Sequence, residues 1–130
     1  MKELLVFGEL HKYLNSLGFI ECTIANKSLS LGYKPITIRG ASKKFATLNG
    51  DKRYRCLILH VDPGNPESAK GKIVQKEIQE ILNFDIGQMR TFKLKKHEVF
   101  IPFEVIDTKE KMGILKDFIA IQYKIFLENY

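Results

Sequence analysis

A chain of 130 residues has room for one domain with a buried core, and not for two comfortable ones. An apolar fraction of 45% and a charged fraction of 28% exclude wholesale disorder. No run approaches the ~18 apolar residues that a membrane-spanning helix requires. The net charge is +6, with an isoelectric point near 9.3.

The first residues carry Glu3 and Glu9 and no long apolar run, so no signal peptide is expected and the chain reads as cytoplasmic. Cys22 and Cys56 both fall in predicted strands among apolar neighbours and read as free thiols, with a disulfide possible only if those strands adjoin in register. The cysteines and histidines show no zinc spacing, and no cofactor is expected.

Residues 3–17 place Val6 or Phe7, Leu10, Tyr13, Leu14 and Leu17 at helical spacing, and Gly18 stands where a left-handed residue would end the helix. From Phe19 the period changes to two. Ile20, Cys22 and Ile24 alternate with Glu21 and Thr23, Asn26-Lys27 offers a turn, and Leu29, Leu31 and Tyr33 resume the pattern. Ile36-Thr37-Ile38 reads as a further short strand after Pro35. Lys43–Leu48 and Arg53–Arg55 flank Asn49-Gly50, a hairpin turn that Asp51 and Lys52 can lengthen.

Cys56–Val61 is the most apolar strand, and apolar residues on both of its faces predict the centre of a sheet covered on both sides, with Ile58 buried. The break Asp62-Pro63-Gly64-Asn65-Pro66 leads to a helix expected from Pro66 with Asn65 as its cap. Its predicted stripe is Ile73, Val74, Ile78, Ile81 and Leu82, with Asn83 at its exit. Thr91–Leu94 and Glu98–Ile106 read as strands joined around Lys95-Lys96. Pro102 cannot donate to a ladder, so the second strand belongs at an edge or carries a bulge. Asp107 or Thr108 caps a last helix to about Leu127, with Met112, Leu115, Phe118, Ile119, Gln122, Ile125 and Phe126 along one face. The fold expected is a single α+β domain spanning residues 1–130, a small antiparallel or mixed sheet of hairpins covered by three helices.

Charge is unevenly placed. Eight basic residues lie between Lys27 and Arg55 against the one acid Asp51, and Arg90, Lys93, Lys95 and Lys96 form a second cluster without an acid. Phosphate contact needs long cations on one face, and single strands add stacking on aromatic rings. Tyr33 fits either such a surface or the core.

Three catalytic patterns are weighed against structural ones. Asp85 followed by Asp107-Thr108-Lys109 has the order of two carboxylates and a lysine that resembles restriction-type metal nucleases, while Asp107-x-x-Glu110 equally starts a helix. His60, between Leu59 and Val61, fits a hydrogen-bonded core residue better than a catalyst. His11 and His97 have no nucleophile or carboxylate that sequence alone sets beside them. No glycine-rich phosphate loop is present.

Two stretches resemble known families. Arg39-Gly40-Ala41-Ser42, a hairpin, then a strand leading to Lys70-Gly71-Lys72 and a helix resembles the HicA-type ribonuclease toxins. The Gly-Ser-His motif of those toxins stands here as Gly40-Ala41-Ser42-Lys43, so the histidine is absent and the activity is not implied. From about Lys43 to Leu127, Lys44-Phe45-Ala46, Val61-Asp62-Pro63, Glu98-Val99-Phe100-Ile101 and Gln122-Tyr123 are similar to YjbR/MmcQ-type double-wing domains, although their usual tryptophan is missing. That resemblance implies helices on a small antiparallel sheet, like the DNA-binding half of a phage transcription factor, and no catalytic residues.

The function expected is a non-enzymatic nucleic-acid-binding module, for DNA or RNA, using Lys34, Arg39, Lys43, Lys44, Lys52, Arg53, Tyr54 and Arg55. The alternatives are a protein-interaction domain, docking an acidic partner on that surface or another on the apolar Phe100/Pro102 edge, and a small metal-dependent or HicA-like nuclease. No membrane partner is expected.

Overall fold

Among the described residues, five strands form one antiparallel meander in chain order. They are β1 (Ile20–Ile24), β2 (Ser30–Pro35), β3 (Ala46–Asn49), β4 (Cys56–His60) and β5 (Glu98–Pro102). Helices α1 (Glu3–Ser16), α2 (Lys70–Leu82), α3 (Ile86–Met89) and α4 (Lys109–Asn129) complete a single α+β domain, with a 3-10 turn at Phe103–Val105. The computed structural model describes residues 2–25, 29–38, 43–51, 54–89 and 95–130.

Register decides which side chains meet. Ile24, Leu31, Leu48, Leu57 and Ile101 form one cross-strand row, and Cys22, Tyr33, Ala46, Leu59 and Val99 the next row on the same face. Val6, Leu10 and Leu14 of α1, with Met112, Leu115, Phe118, Ile119 and Phe126 of α4, join these rows, apart from the exposed Ile24, in one core. Each fully buried aliphatic side chain there contributes roughly 1.5–3 kcal/mol relative to exposure. Phe45, just before β3, wedges under α4, edge-on to Tyr123 and Phe126 with ring centroids 5.3 and 5.2 Å away.

Two glycines mark close approaches. Gly18 is not left-handed as the sequence suggests. A Cβ there would lie 2.6 Å from the Tyr123 hydroxyl, so the residue makes room for α4. Gly71 lets α2 sit directly on the β5 strand: a Cβ would collide with the Lys96 carbonyl and come within 2.6 Å of the Glu98 nitrogen. One helical turn on, the buried Gln75 accepts the Phe100 N–H at 2.6 Å and donates to the Phe100 carbonyl at 2.9 Å. In the antiparallel ladder Phe100 sits at a position whose polar groups point away from β4, so the Gln75 amide takes the place of a sixth strand.

Several expectations are corrected. Cys56–His60 is the penultimate strand, not the central one, and the core covers one of its faces. Ile58 is half-buried on the other face, whereas Leu57 and Leu59 are fully buried. Ile36–Ile38 forms no strand, and Ile36 and Ile38 are exposed. Helix α2 starts at Lys70 rather than Pro66. Residues 62–69 form turns pinned by the Tyr130 hydroxyl, which donates to Asp62 Oδ1 at 2.6 Å and accepts the Gly64 N–H at 2.8 Å. Its buried stripe is Gly71, Gln75, Ile78 and Leu82, leaving Ile73 and Ile81 exposed.

β5 ends at Pro102, and the residues expected to extend it turn into the 3-10 segment. The helix α3 was not anticipated. Pro102 does lie on an edge strand, Asn83 does end α2 with φ of 55°, and α4 buries its predicted stripe except Ile125. No disulfide joins Cys22 and Cys56, whose strands do not adjoin. The Asn26-Lys27 turn and the Thr91–Leu94 strand lie outside the described residues.

Because Gln75 serves two backbone groups, Gln75→Ala is expected to lower unfolding free energy by about 2–3 kcal/mol. Gly71→Ala should also destabilise, despite alanine's better helix propensity. Gly113→Ala in α4, where a Cβ meets nothing within 4 Å, should instead stabilise by up to about 1 kcal/mol. Urea melts of the three variants check the signs.

Candidate functional site

Alternation along the strands sends a second set of side chains away from the core, onto what is here termed the outer face. One row holds Thr23, Gly32, Thr47, Ile58 and Phe100, and the adjoining row pairs Glu21 with Lys34 and His60 with Glu98. Lys44, immediately before β3, lies over Gly32, where a Cβ would stand 3.0 Å from Lys44 Cε and 3.1 Å from Thr23 Oγ1. The missing side chain leaves the trough that the lysine stem occupies.

His60 is the centre of this face. Its Nε2 lies 2.9 Å from Thr47 Oγ1, and its Nδ1 lies 3.8 Å from Oε1 of Glu98, its cross-strand partner. The same carboxylate oxygen is 3.7 Å from His97 Nε2 and 3.6 Å from Lys95 Nζ. Burial pushes the His60 imidazole down to about 4, and the nearby Lys44, His97 and Lys95 add to the cost of protonating it. The ring is therefore neutral at pH 7, with one N–H and one acceptor. Thr47 can donate to Nε2 at 2.9 Å, which leaves the Nδ1 proton on the side of Glu98, at a distance longer than a hydrogen bond.

His97 contributes a different feature. Its carbonyl accepts the Val61 and Asp62 N–H groups, while its buried Nδ1 has no hydrogen-bond partner among the described residues. Beside Glu98, between α2, α3 and the edge of β5, opens a cavity of about 300 Å³, lined among others by Lys72, Lys76, Lys95, Gln75 and Glu98.

The residues singled out from sequence separate into three groups. Lys34 and Lys44 reach the outer face, Lys43 is exposed beside them, and Tyr54 is 40% exposed. Arg55 turns to α1 instead: its guanidinium sits 3.2 Å from the Glu3 carboxylate and its Nε donates to the Gly50 carbonyl. Arg39, Lys52 and Arg53 lie outside the described residues. Tyr33 is fully buried, its hydroxyl 2.7 Å from His11 Nδ1, and belongs to the core.

The carboxylates considered for a metal have local roles. Asp107 pairs with Lys111 at 3.1 Å, and Thr108 caps α4 by accepting the Lys111 N–H, while Lys109 is exposed on its first turn. Asp85 accepts the Gly87 N–H. Among the described residues no group of three or more His, Cys, Asp or Glu could hold a metal ion. The Phe100/Pro102 edge suggested for a protein partner is taken by Gln75.

Thr47, Lys95, His97 and Glu98 were not singled out as a set by sequence reasoning. No local spacing links them, because α2 and α3 intervene between His60 and Glu98. Their one signal is pairing register, which is unreadable until β4 and β5 are known to be neighbours. Comparison with protein-family models, curated proteins and solved structures finds no match to this chain.

The His60 environment sets a pH dependence. The folded value near 4 lies below the ordinary 6.5, so as pH falls the unfolded chain takes up the proton first. This contribution is complete above pH 6.5 and is lost between 6.5 and about 4, for roughly 3 kcal/mol in all. His60→Gln should lose less stability than the unsubstituted protein across that window, measured by urea melts at several pH values.

Proposed function

We propose that the chain is a nucleic-acid-binding module whose contact surface is the outer face of the sheet. The carrying observation is that Lys34 stands on that face by strand register, Lys44 lies over Gly32 and Lys95 reaches Glu98, with Thr23, Thr47 and Phe100 on the same face. Lysines supply the phosphate contacts, hydroxyls supply sugar and phosphate hydrogen bonds, and a half-buried ring offers a stacking edge. The basic residues Arg39, Lys52 and Arg53 adjoin this face in sequence and belong to the same proposal. Arg55 does not, because Glu3 already engages it.

A protein-interaction reading has one observation in its favour. Phe19, Ile36 and Ile38 are exposed, by 84%, 58% and 106%, around a groove also lined by Leu17, Tyr123 and Leu127. Apolar groups gathered this way commonly mark a contact surface.

Fluorescence anisotropy with a labelled single-stranded oligonucleotide separates the two readings. In the nucleic-acid reading, log K falls linearly with log salt, and reversing Lys34, Lys43 and Lys44 to glutamate lowers affinity on the order of 100-fold or more at moderate ionic strength. Phe19→Ser with Ile38→Ser leaves that affinity unchanged. Absent binding, or binding indifferent to salt and to the reversals, removes the proposal.

A further inference from the structure

The acid–base groups around Glu98 are more than a binding surface requires. One carboxylate oxygen is approached by Lys95 Nζ, His97 Nε2 and His60 Nδ1 at 3.6, 3.7 and 3.8 Å. The carboxylate is largely shielded, and both it and Lys95 line the cavity against α2, where Lys72 and Lys76 add positive charge and Asp85 one negative charge. The distances are longer than hydrogen bonds, as catalytic contacts often are before a substrate draws them together. The buried Nδ1 of His97, without a partner among the described residues, marks that ring as one not fully accounted for by folding.

We infer that this cluster is a metal-independent ribonuclease site, cleaving RNA held on the outer face by transfer of its own phosphodiester. The inference rests on the nucleic-acid-binding reading and narrows its substrate to RNA, since the nucleophile is the 2′-hydroxyl. Glu98 accepts the 2′-OH proton as the 2′-oxygen forms its bond to phosphorus. The bond from phosphorus to the 5′-oxygen breaks, and His97, as the general acid, gives a proton to that leaving oxygen. Lys95 faces the non-bridging oxygens, where negative charge grows in the transition state. The products are a 2′,3′-cyclic phosphate and a free 5′-hydroxyl, so no water, metal or redox partner enters the step. Imidazole is the side chain able to act as an acid near neutral pH. His60, neutral and held by Thr47, closes the inner side of the carboxylate.

The test uses a fluorescein-labelled single-stranded RNA of mixed sequence in excess EDTA, beside its fully 2′-O-methylated copy. Both oligonucleotides should bind alike. The RNA alone should be cut, leaving cyclic phosphate ends identifiable by mass spectrometry. Glu98→Gln and His97→Gln should each slow cleavage on the order of 100-fold or more while binding of the methylated copy holds within a few-fold, which also shows that the variants fold. If either variant loses binding together with its folded circular-dichroism signal, Lys95→Ala, at an exposed side chain, carries the test with the same expected loss of rate. RNA that is bound but left intact by the unsubstituted protein overturns the ribonuclease and leaves the binding reading standing. No binding of either oligonucleotide overturns both. Cleavage that persists unchanged in the variants assigns the activity elsewhere and overturns the site.

Discussion

A single glutamine amide closes the sheet. Phe100 turns its N–H and carbonyl outward from the last strand, and Gln75 answers both from a helix. Unpaired backbone groups at such an edge would recruit another strand or cost desolvation energy, so this contact fixes where the meander stops. It also fixes α2 side-on to β5, with Gly71 removing the one side chain that would hold them apart. That placement brings Lys72 and Lys76 opposite Lys95 and Glu98 and so creates the cavity between them. The geometry of the candidate site is a consequence of how an edge strand was capped.

The other governing constraint is the asymmetry of the sheet. Side chains alternate with a period of two, so one register places Leu31, Leu48, Leu57 and Ile101 in the core and Gly32, Thr47, Ile58 and Phe100 away from it. A slip of one residue would exchange the rows and bury Thr47 and His60 against Leu10 and Leu115. The aliphatic core therefore enforces the arrangement of the polar face. His60 shows the cost: its ring is retained neutral in a place where desolvation and neighbouring cations both oppose protonation.

Where local chemistry decides structure, the sequence was readable. Alternation in Ile20–Ile24 and Leu29–Tyr33 identified the first hairpin, the heptad-like stripe from Met112 to Phe126 identified α4, and the missing N–H of Pro102 narrowed its strand to an edge or a bulge, of which the edge is found. Where a tertiary contact decides, it was not. The buried face of α2 contains a glycine and a glutamine because it meets a backbone edge rather than a hydrophobic surface, so a stripe drawn through Ile73 and Ile81 points the wrong way. Apolar residues on both faces of β4 suggested a central strand, although only the Leu57/Leu59 face joins the main core. At the site, the clustering of Lys34, Lys43 and Lys44 was visible in sequence. The capture of Arg55 by Glu3, and the convergence of His60, His97 and Lys95 on Glu98, depend on pairings between distant segments.

The most direct test of the outer face as the contact surface is a two-dimensional nitrogen–proton NMR titration with the 2′-O-methylated oligonucleotide, which binds without being consumed. The expected result is a contiguous set of shifted amides at Thr23, Gly32, Lys34, Thr47, His60, Glu98 and Phe100, with α1 and the exposed side of α4 unmoved. Shifts gathered instead around Phe19, Ile36, Ile38 and Leu127, or none at saturating oligonucleotide, would contradict it.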